Sequence, residues 1–303
     1  KTHHRVCHLC EAMCGLVIKT TGESVIDIRG DKDDPLSRGH VCPKAVALQD
    51  IHEDPDRLRK PLKRVRSVAG QYHHVEIEWS EALDLAADAL ASVIQSQGVN
   101  AVGAYFGNPS VHNYGMMTHQ RNLFRHIRTR NRFSATSVDQ LPHHLVSMWL
   151  YGHMLLNPIP DIDRTHYFLM LGANPLASNG SIWTVPDVRR RIKELIARGG
   201  KLVVIDPRKT ETAELASEHY FIRPGTDAAF LLGLIHVVFR DSLAALGALA
   251  EFTDGVEAVQ EAVQALTPEW AADITGIEAG HIEKVAHDLA SAKAGICYGR
   301  MGV

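Results

Sequence analysis

Cys7, Cys10 and Cys14 follow one another as Cys-x2-Cys-x3-Cys, and a fourth cysteine stands at Cys42, in Cys42-Pro43-Lys44. Four thiolates brought together from one short loop and one distant position suit two kinds of centre, a tetrahedral zinc ion or a cubane [4Fe-4S] cluster. Structural zinc sites usually pair two compact knuckles. In this chain three ligands share one loop and the fourth stands alone, so the spacing favours the cluster and keeps zinc as the alternative. A cluster with a lysine beside it, Lys44, implies that electrons travel to something nearby. Cys297, in Ala-Gly-Ile-Cys-Tyr-Gly, is expected to be a buried strand residue and not a reactive thiol.

A second set of chemistry-bearing residues lies downstream, in Gly172-Ala-Asn174-Pro-Leu-Ala-Ser178, Asp206-Pro-Arg208 and Gly225-Thr226-Asp227. Each falls where a strand pattern ends or a helix begins. Asparagine and aspartate offer hydrogen bonds to base or ribose edges, arginine pairs with phosphate, glycine permits close approach, and the helix start after Gly225 favours an anion. One such turn is ordinary, because Gly, Asn, Asp and Pro dominate turns. Three in register on one sheet describe a site for a nucleotide-like ligand. The chain has no Gly-x-Gly-x-x-Gly, which argues against an ordinary nicotinamide site.

The elements that must hold these residues follow from periodicity. Residues 5–42 are too polar and glycine-rich for helix. Leu16–Lys19 and Ser24–Ile28 alternate around a turn and predict a β-hairpin, after which a turn-rich loop returns the chain to Cys42. A short helix opens at Cys42-Pro43-Lys44 and runs to about His52. Residues 54–70, with two prolines and many bases, predict a surface linker. A helix capped by Ser80 runs to about Gln97 with an apolar face at 82, 83, 86, 90, 93 and 94, and a buried strand follows from Asn100. The helix expected from Asn113 to Arg128 carries Arg121, Arg125 and Arg128, with Arg130 and Arg132 beyond, which serve either cofactor phosphates or a solvated basic face. From His166 strands at 167–171, 201–205, 220–222 and 294–298 alternate with helices at 185–198, 228–239, 254–266 and 279–291. The fold class is therefore α/β, with a small N-terminal β-rich cluster subdomain followed by doubly wound, mostly parallel α/β domains. The expected divisions are 1–60, 61–135 and 136–303.

Composition narrows the function classes. The chain has 303 residues, 45% of them hydrophobic, and a formal net charge of −3. This near-neutral balance gives no reason to expect nucleic acid as a partner. No apolar run is long enough to span a bilayer. Clustered cysteines in an otherwise cysteine-poor chain indicate metal binding and not a secreted disulfide framework. The first residue is Lys1 and the last residues are Gly-Arg-Met-Gly-Val, so a fragment of a longer protein is expected. No export signal is visible and a cytoplasmic location is expected, although a trimmed terminus would have removed such a signal.

The cysteine pattern with Cys42-Pro43-Lys44, then Gly172-Ala-Asn-Pro, Ile205-Asp-Pro-Arg-Lys-Thr-Glu-Thr-Ala and Arg223-Pro-Gly-Thr-Asp-Ala-Ala, closely resembles the molybdopterin oxidoreductases. Within that family it looks most like formate dehydrogenase and its cytoplasmic relatives. The resemblance covers essentially the whole chain, strongly at 5–52 and 163–240 and loosely between 60 and 135. It implies a [4Fe-4S] cluster on Cys7, Cys10, Cys14 and Cys42. It also implies molybdenum or tungsten held by two molybdopterin guanine dinucleotides (bis-molybdopterin guanine dinucleotide). By similarity Lys44 lies between cluster and pterin and stabilises an added electron. Asn174, Ser178, Asp206, Arg208, Gly225 and Asp227 match cofactor-binding positions, and Met301-Gly302 resembles a further cofactor turn. The family's cofactor lies between discontinuous domains, so segments completing the site are expected after residue 303.

The resemblance also implies a protein ligand to the metal from a loop about 35 residues before the Asn174 turn, which in this chain falls in Ser134–His144. No cysteine is present there, a departure from formate dehydrogenase. Asp139 stands closest to the expected place and is a hard oxygen donor, Ser137 is second, and a loop that only lines the substrate channel is the third possibility. His143 or His144 would serve as a proton shuttle. The function expected is two-electron oxidation or reduction of a small-molecule substrate, with electrons leaving through the cluster to a redox partner protein. Alternatives are an oxyanion reductase or non-redox hydratase of the same family, or a cluster-bearing electron-transfer subunit without its own metal centre.

Overall fold

The computed structural model describes every residue except His112, Gly180, Ser181, Ile182 and Gly302, and at 108 and 109 it describes the backbone. The chain divides into two compact units, Lys1–Val138 and Asp139–Val303.

The first unit begins with an antiparallel meander of β1 (Thr2–Val6), β2 (Gly15–Thr21) and β3 (Ser24–Gly30). The expected hairpin is β2–β3, with a register shift at Lys19/Thr20. A loop then leads to α1 (Pro43–Val46) and α2 (Leu48–Glu53), two short helices where one was expected, separated at Ala47. Leu16 and Ile28 of the meander pack with Cys7, Ala12, Cys14 and Ala45 in one small buried cluster.

Residues 54–70 depart from the expected linker. Β4 (Leu62–Arg66) and β5 (Tyr72–Glu76) form an antiparallel hairpin. Basic and apolar residues are mixed along it without strict alternation and none is buried, so no buried face announces it. Helix α3 (Trp79–Gln97) starts one residue before Ser80, with Glu78 at the cap position and no side-chain capping bond, so Ser80 is not its cap. None of α3 is buried, and its apolar stripe is left largely open within this unit. The strand expected to be buried from Asn100 is only the three-residue β6 (Ala104–Phe106), alternating between half-buried and exposed. Helix α4 (Tyr114–Ile127) is capped by the Asn113 side chain, which accepts from the Met116 N–H, and β7 (Arg132–Ser134) pairs parallel with β6.

The second unit opens with α5 (Leu141–Tyr151) and then builds one parallel sheet. Its strands and helices run β8 (Tyr167–Leu171), α6 (Pro175–Ser178), α7 (Val188–Ala197), β9 (Lys201–Ile205), α8 (Glu211–Leu215), β10 (Glu218–Tyr220), α9 (Asp227–Arg240), α10 (Val256–Ala262), α11 (Pro268–Thr275), α12 (Ala279–Ser291) and β11 (Gly295–Gly299). The spatial order is β10-β9-β8-β11, so the chain steps outward from β8 and then returns to its other side. Such a reversal is where ligands of open α/β sheets bind, beyond the carboxyl ends of the strands.

Both faces of this sheet are covered. Leu169, Leu171, Val203 and Ile205 pack against Phe230, Leu234, Ile282 and Val285 of α9 and α12. On the other face Phe168, Met170, Leu202 and Val204 meet Trp183, Ile192 and Leu195. All of β8 is buried, the pattern of a central parallel strand. Each fully buried Phe or Leu contributes about 1.5–3 kcal/mol, so this is the chain's principal core. Cys297 differs from expectation. It lies on β11, the end strand of the described sheet, opposite Leu169 in register, and is exposed where that edge opens onto a cavity.

Candidate functional site

Cys7, Cys10 and Cys14 occupy the connection between β1 and β2, and Cys42 stands at the N-cap of α1. The loop is tightened by the Cys7 N–H donating to the Cys14 carbonyl at 2.8 Å and by Met13 in the left-handed region at φ 49°. Cys42 makes no side-chain capping bond, so its sulfur is not spent on the helix end. All four cysteines belong to one apolar cluster, Cys7 and Cys14 within it and Cys10 and Cys42 packed against it.

The thiols act on one another electrostatically. Burial pushes the Cys7 thiol up, and the neighbouring Cys10 and Cys42 add to that rise. Burial pushes Cys14 up to about 11, with Cys7, Cys10 and Cys42 contributing in the same direction. Four thiolates this close are costly unless a cationic centre takes their charge, and that is the condition under which thiolates ligate. Among the described residues no three His, Cys, Asp or Glu side chains gather as for a single metal ion. A cubane does not require such a point, since it spreads four thiolates over several irons. The donor set fits a [4Fe-4S] cluster.

Lys44 is exposed on the first turn of α1, two residues past Cys42. The loop between Gly30 and Cys42 is built on a contact that sequence reading missed. Ser37, wholly buried, donates its hydroxyl to the Asp34 carboxylate at 2.6 Å and accepts the Gly15 N–H at 3.0 Å. The Asp-x-x-Ser spacing, typical of a side chain closing its own turn, was the available signal.

In the second unit the parallel order puts the three polar turns on one edge of the sheet. From one side to the other they follow β10 (Arg223 to Asp227), β9 (Asp206 to Arg208) and β8 (Gly172 to Ser178), and Arg300-Met301 follow β11. Their side chains also brace the turns. Asn174 donates from Nδ2 to Glu211 at 2.7 Å and accepts at Oδ1 from the Thr212 hydroxyl at 2.8 Å. Glu211 is held below the usual carboxylate range, first by its own position at the start of α8 and then by Asn174. Asp206 is buried, and its Oδ1 accepts from the Arg208 N–H at 2.8 Å, which leaves the Arg208 side chain exposed at the edge. Ser178, in α6, is exposed and bonds back to the Asn174 carbonyl. Gly225 takes φ 78°, open to glycine without strain, and Asp227 begins α9.

Beside this edge lies a cavity of about 650 Å³ between α5, the 157–161 segment and the end of β11. It brings His143 together with Arg300 and Met301, two residues of the β11 turn. His143 Nε2 is 3.2 Å from the Gly299 carbonyl, and His144 is buried in α5. Met301 is half-buried, whereas Gly302, the other residue of the expected cofactor turn, lies outside the described residues. Asp139 is exposed just before α5 and is not in the cavity wall, and Ser137 is exposed in a short 3-10 turn of the first unit. Sequence reading did not single out Arg300. Its Nη1 is buried without a hydrogen-bond partner among the described residues. An orphaned guanidinium nitrogen with Arg208 on the same sheet edge suits an anionic, phosphate-bearing ligand.

Comparison with known proteins places these two sites in context. A family model described as molybdopterin oxidoreductase Fe4S4 domain matches residues 1–53, and one described as molybdopterin oxidoreductase matches residues 57–267. The chain is 29% identical over 93% of its length to a probable oxidoreductase, YoaE, of Bacillus subtilis, covering 40% of that protein. It is 28% identical over 98% of its length to formate dehydrogenase H of Escherichia coli, covering 41% of it. The solved structure of acetylene hydratase from Pelobacter acetylenicus superposes with a TM-score of 0.77 at 26% identity, over 98% of this chain and 40% of that one. The chain thus spans about 40% of the length of the relatives it matches. No helix among the described residues is long and apolar enough to cross a membrane.

Proposed function

Because this chain belongs to the molybdopterin oxidoreductase family, we propose that it carries the cluster and part of the pterin site of a molybdenum- or tungsten-dependent two-electron oxidoreductase resembling formate dehydrogenase. The cofactors are a molybdopterin and a [4Fe-4S] cluster. The finer form we propose is bis-molybdopterin guanine dinucleotide. When bound, the pterin-held metal supplies two-electron chemistry, and the cluster passes electrons on singly.

In this reading Cys7, Cys10, Cys14 and Cys42 ligate the cluster, and the Lys44 ammonium beside Cys42 favours its reduced form. The turns carrying Asn174, Ser178, Asp206, Arg208, Gly225 and Asp227, with Met301, hold a guanine dinucleotide. Arg208 meets phosphate, and the buried Asp206 meets a ribose or base donor. Asp139 is the candidate metal ligand. His143, oriented by the Gly299 carbonyl, is placed to take or give a proton at Nδ1 if Nε2 carries the hydrogen in that bond. The same reading divides the chain into a cluster subdomain at 1–60, half of an α/β domain at 61–135 and a pterin-binding domain at 136–303. A separate redox protein is the proposed electron acceptor.

The observation that carries this reading is the gathering of four cysteines in and against one small apolar cluster. Cys10→Ala tests it. The variant should lose the broad visible absorption of the anaerobically purified protein and most of its iron, and an unchanged spectrum would remove the basis for the electron-transfer role. The likeness to acetylene hydratase favours a second reading, a non-redox hydratase. Formate-dependent reduction of a dye separates the two, since a hydratase would hold the same cofactors and reduce nothing.

A further inference from the structure

We propose that Asp34 and Ser37 form a tuning clamp for the cluster, through which a carboxylate charge and a captured backbone N–H hold its reduction potential down. The inference rests on the cluster reading above and concerns residues outside the ligand set. Gly15 directly follows the ligand Cys14, and its N–H donates to Ser37 Oγ at 3.0 Å in a buried setting. Ser37 is completely buried. Both its hydroxyl and its own N–H donate to Asp34 Oδ2, each at 2.6 Å. Such short bonds to a carboxylate are of the strong, charge-assisted kind.

The fit is tight enough to require glycine. A Cβ on Gly15 would lie 2.6 Å from the Asp34 Cβ. The rest of the Cys14–Gly15 segment is pinned as well. The Cys14 carbonyl accepts from the Cys7 N–H, and the Gly15 carbonyl accepts from the Asp31 N–H at 2.9 Å. Asp31 has a separate partner in His4, whose Nδ1 is 2.8 Å from its carboxylate. Asp34 instead receives two neutral donors from Ser37, which order its charge without cancelling it.

Two physical effects then act in one direction. Reduction adds negative charge to the cluster, so a fixed carboxylate nearby disfavours the reduced form. Hydrogen bonds to cluster sulfur raise the potential, and the Gly15 N–H is committed to an oxygen instead. Groups one step behind the ligands commonly set a metal centre's properties in this way.

The test is a redox titration of the full-length, anaerobically purified protein, following the electron paramagnetic resonance signal of the reduced cluster alongside iron content. Asp34→Asn removes the charge but keeps an acceptor for Ser37. Ser37→Ala releases the Gly15 N–H. Both should keep wild-type iron and shift the midpoint to a more positive potential, and Asp34→Glu, which restores the charge, should return it toward wild type. Full iron content with an unmoved midpoint in both Asp34→Asn and Ser37→Ala would make the contact purely structural and overturn the proposal. Loss of the cluster from all three variants would restrict the pair to assembling the loop and overturn it equally. A wild-type protein without iron would instead fail the cluster reading, before any substitution is compared.

Discussion

Lys44 and Asp139 differ in what surrounds them, and their substitutions should separate. The Lys44 ammonium is exposed, so its effect on a neighbouring charge is close to the aqueous limit of roughly 1 kcal/mol. Lys44→Ala is expected to leave iron content intact and slow turnover with an external acceptor by about fivefold. An unchanged rate would make it an ordinary surface lysine. A metal-bound Asp139 would be fixed by coordination, and its loss would admit solvent to the metal. Asp139→Ala should retain the pterin, lower activity by about tenfold to a hundredfold and change the oxygen shell seen in X-ray absorption at the metal edge. If only Ser137→Ala alters that shell, Ser137 is the ligand. If neither does, the loop only lines the channel. The Asp34–Ser37 bond is local and its spacing was a usable signal, whereas the Gly15 N–H that Ser37 accepts and the orphaned nitrogen of Arg300 depend on which groups meet across the fold, and residue type alone does not reveal that.

Elements were legible where burial wrote a simple pattern. Strands β8 and β9 are continuous apolar runs because both faces of the sheet are covered, and helix α9 was plain from its apolar length. The β4–β5 hairpin was not legible, since neither strand has a buried residue and its bases lie on an open ribbon, Lys63 reaching Glu81 of α3. Ser80 looked like a cap because of its residue type, but the chain enters α3 one residue earlier, from an extended Glu78. Helix α11 was overlooked even though Thr267-Pro268 is a good start signal, and the Thr267 hydroxyl does accept from the Trp270 N–H. These two helices allow a comparison of cap and core. Phe230 of α9 is fully buried against α12 and the sheet, so Phe230→Ala should lower unfolding free energy by about 3–5 kcal/mol. Thr267→Ala, losing one capping bond, should lower it by only about 1 kcal/mol. Denaturant midpoints of the two variants check the order. Equal losses would mean that the sheet core is not the chief source of stability.

At the scale of the whole molecule, two kinds of architecture share one chain. The first unit has its best-buried core around four cysteines, and the second is a doubly covered parallel sheet with polar turns along its carboxyl edge. A cluster loop on its own would serve any electron carrier, and a sheet edge on its own would serve many nucleotides. Together with the family match they support a molybdopterin and a [4Fe-4S] cluster as the cofactors, and the route of electrons from pterin-bound metal to cluster is part of the function proposed above. The substrate is a separate matter, since the relatives include both a formate dehydrogenase and a hydratase. The most direct test is metal and pterin analysis of the full-length protein purified without oxygen. The account predicts about four irons per chain from the four-thiolate centre, together with molybdenum or tungsten and a releasable pterin. Stoichiometric zinc with neither iron nor pterin would contradict it.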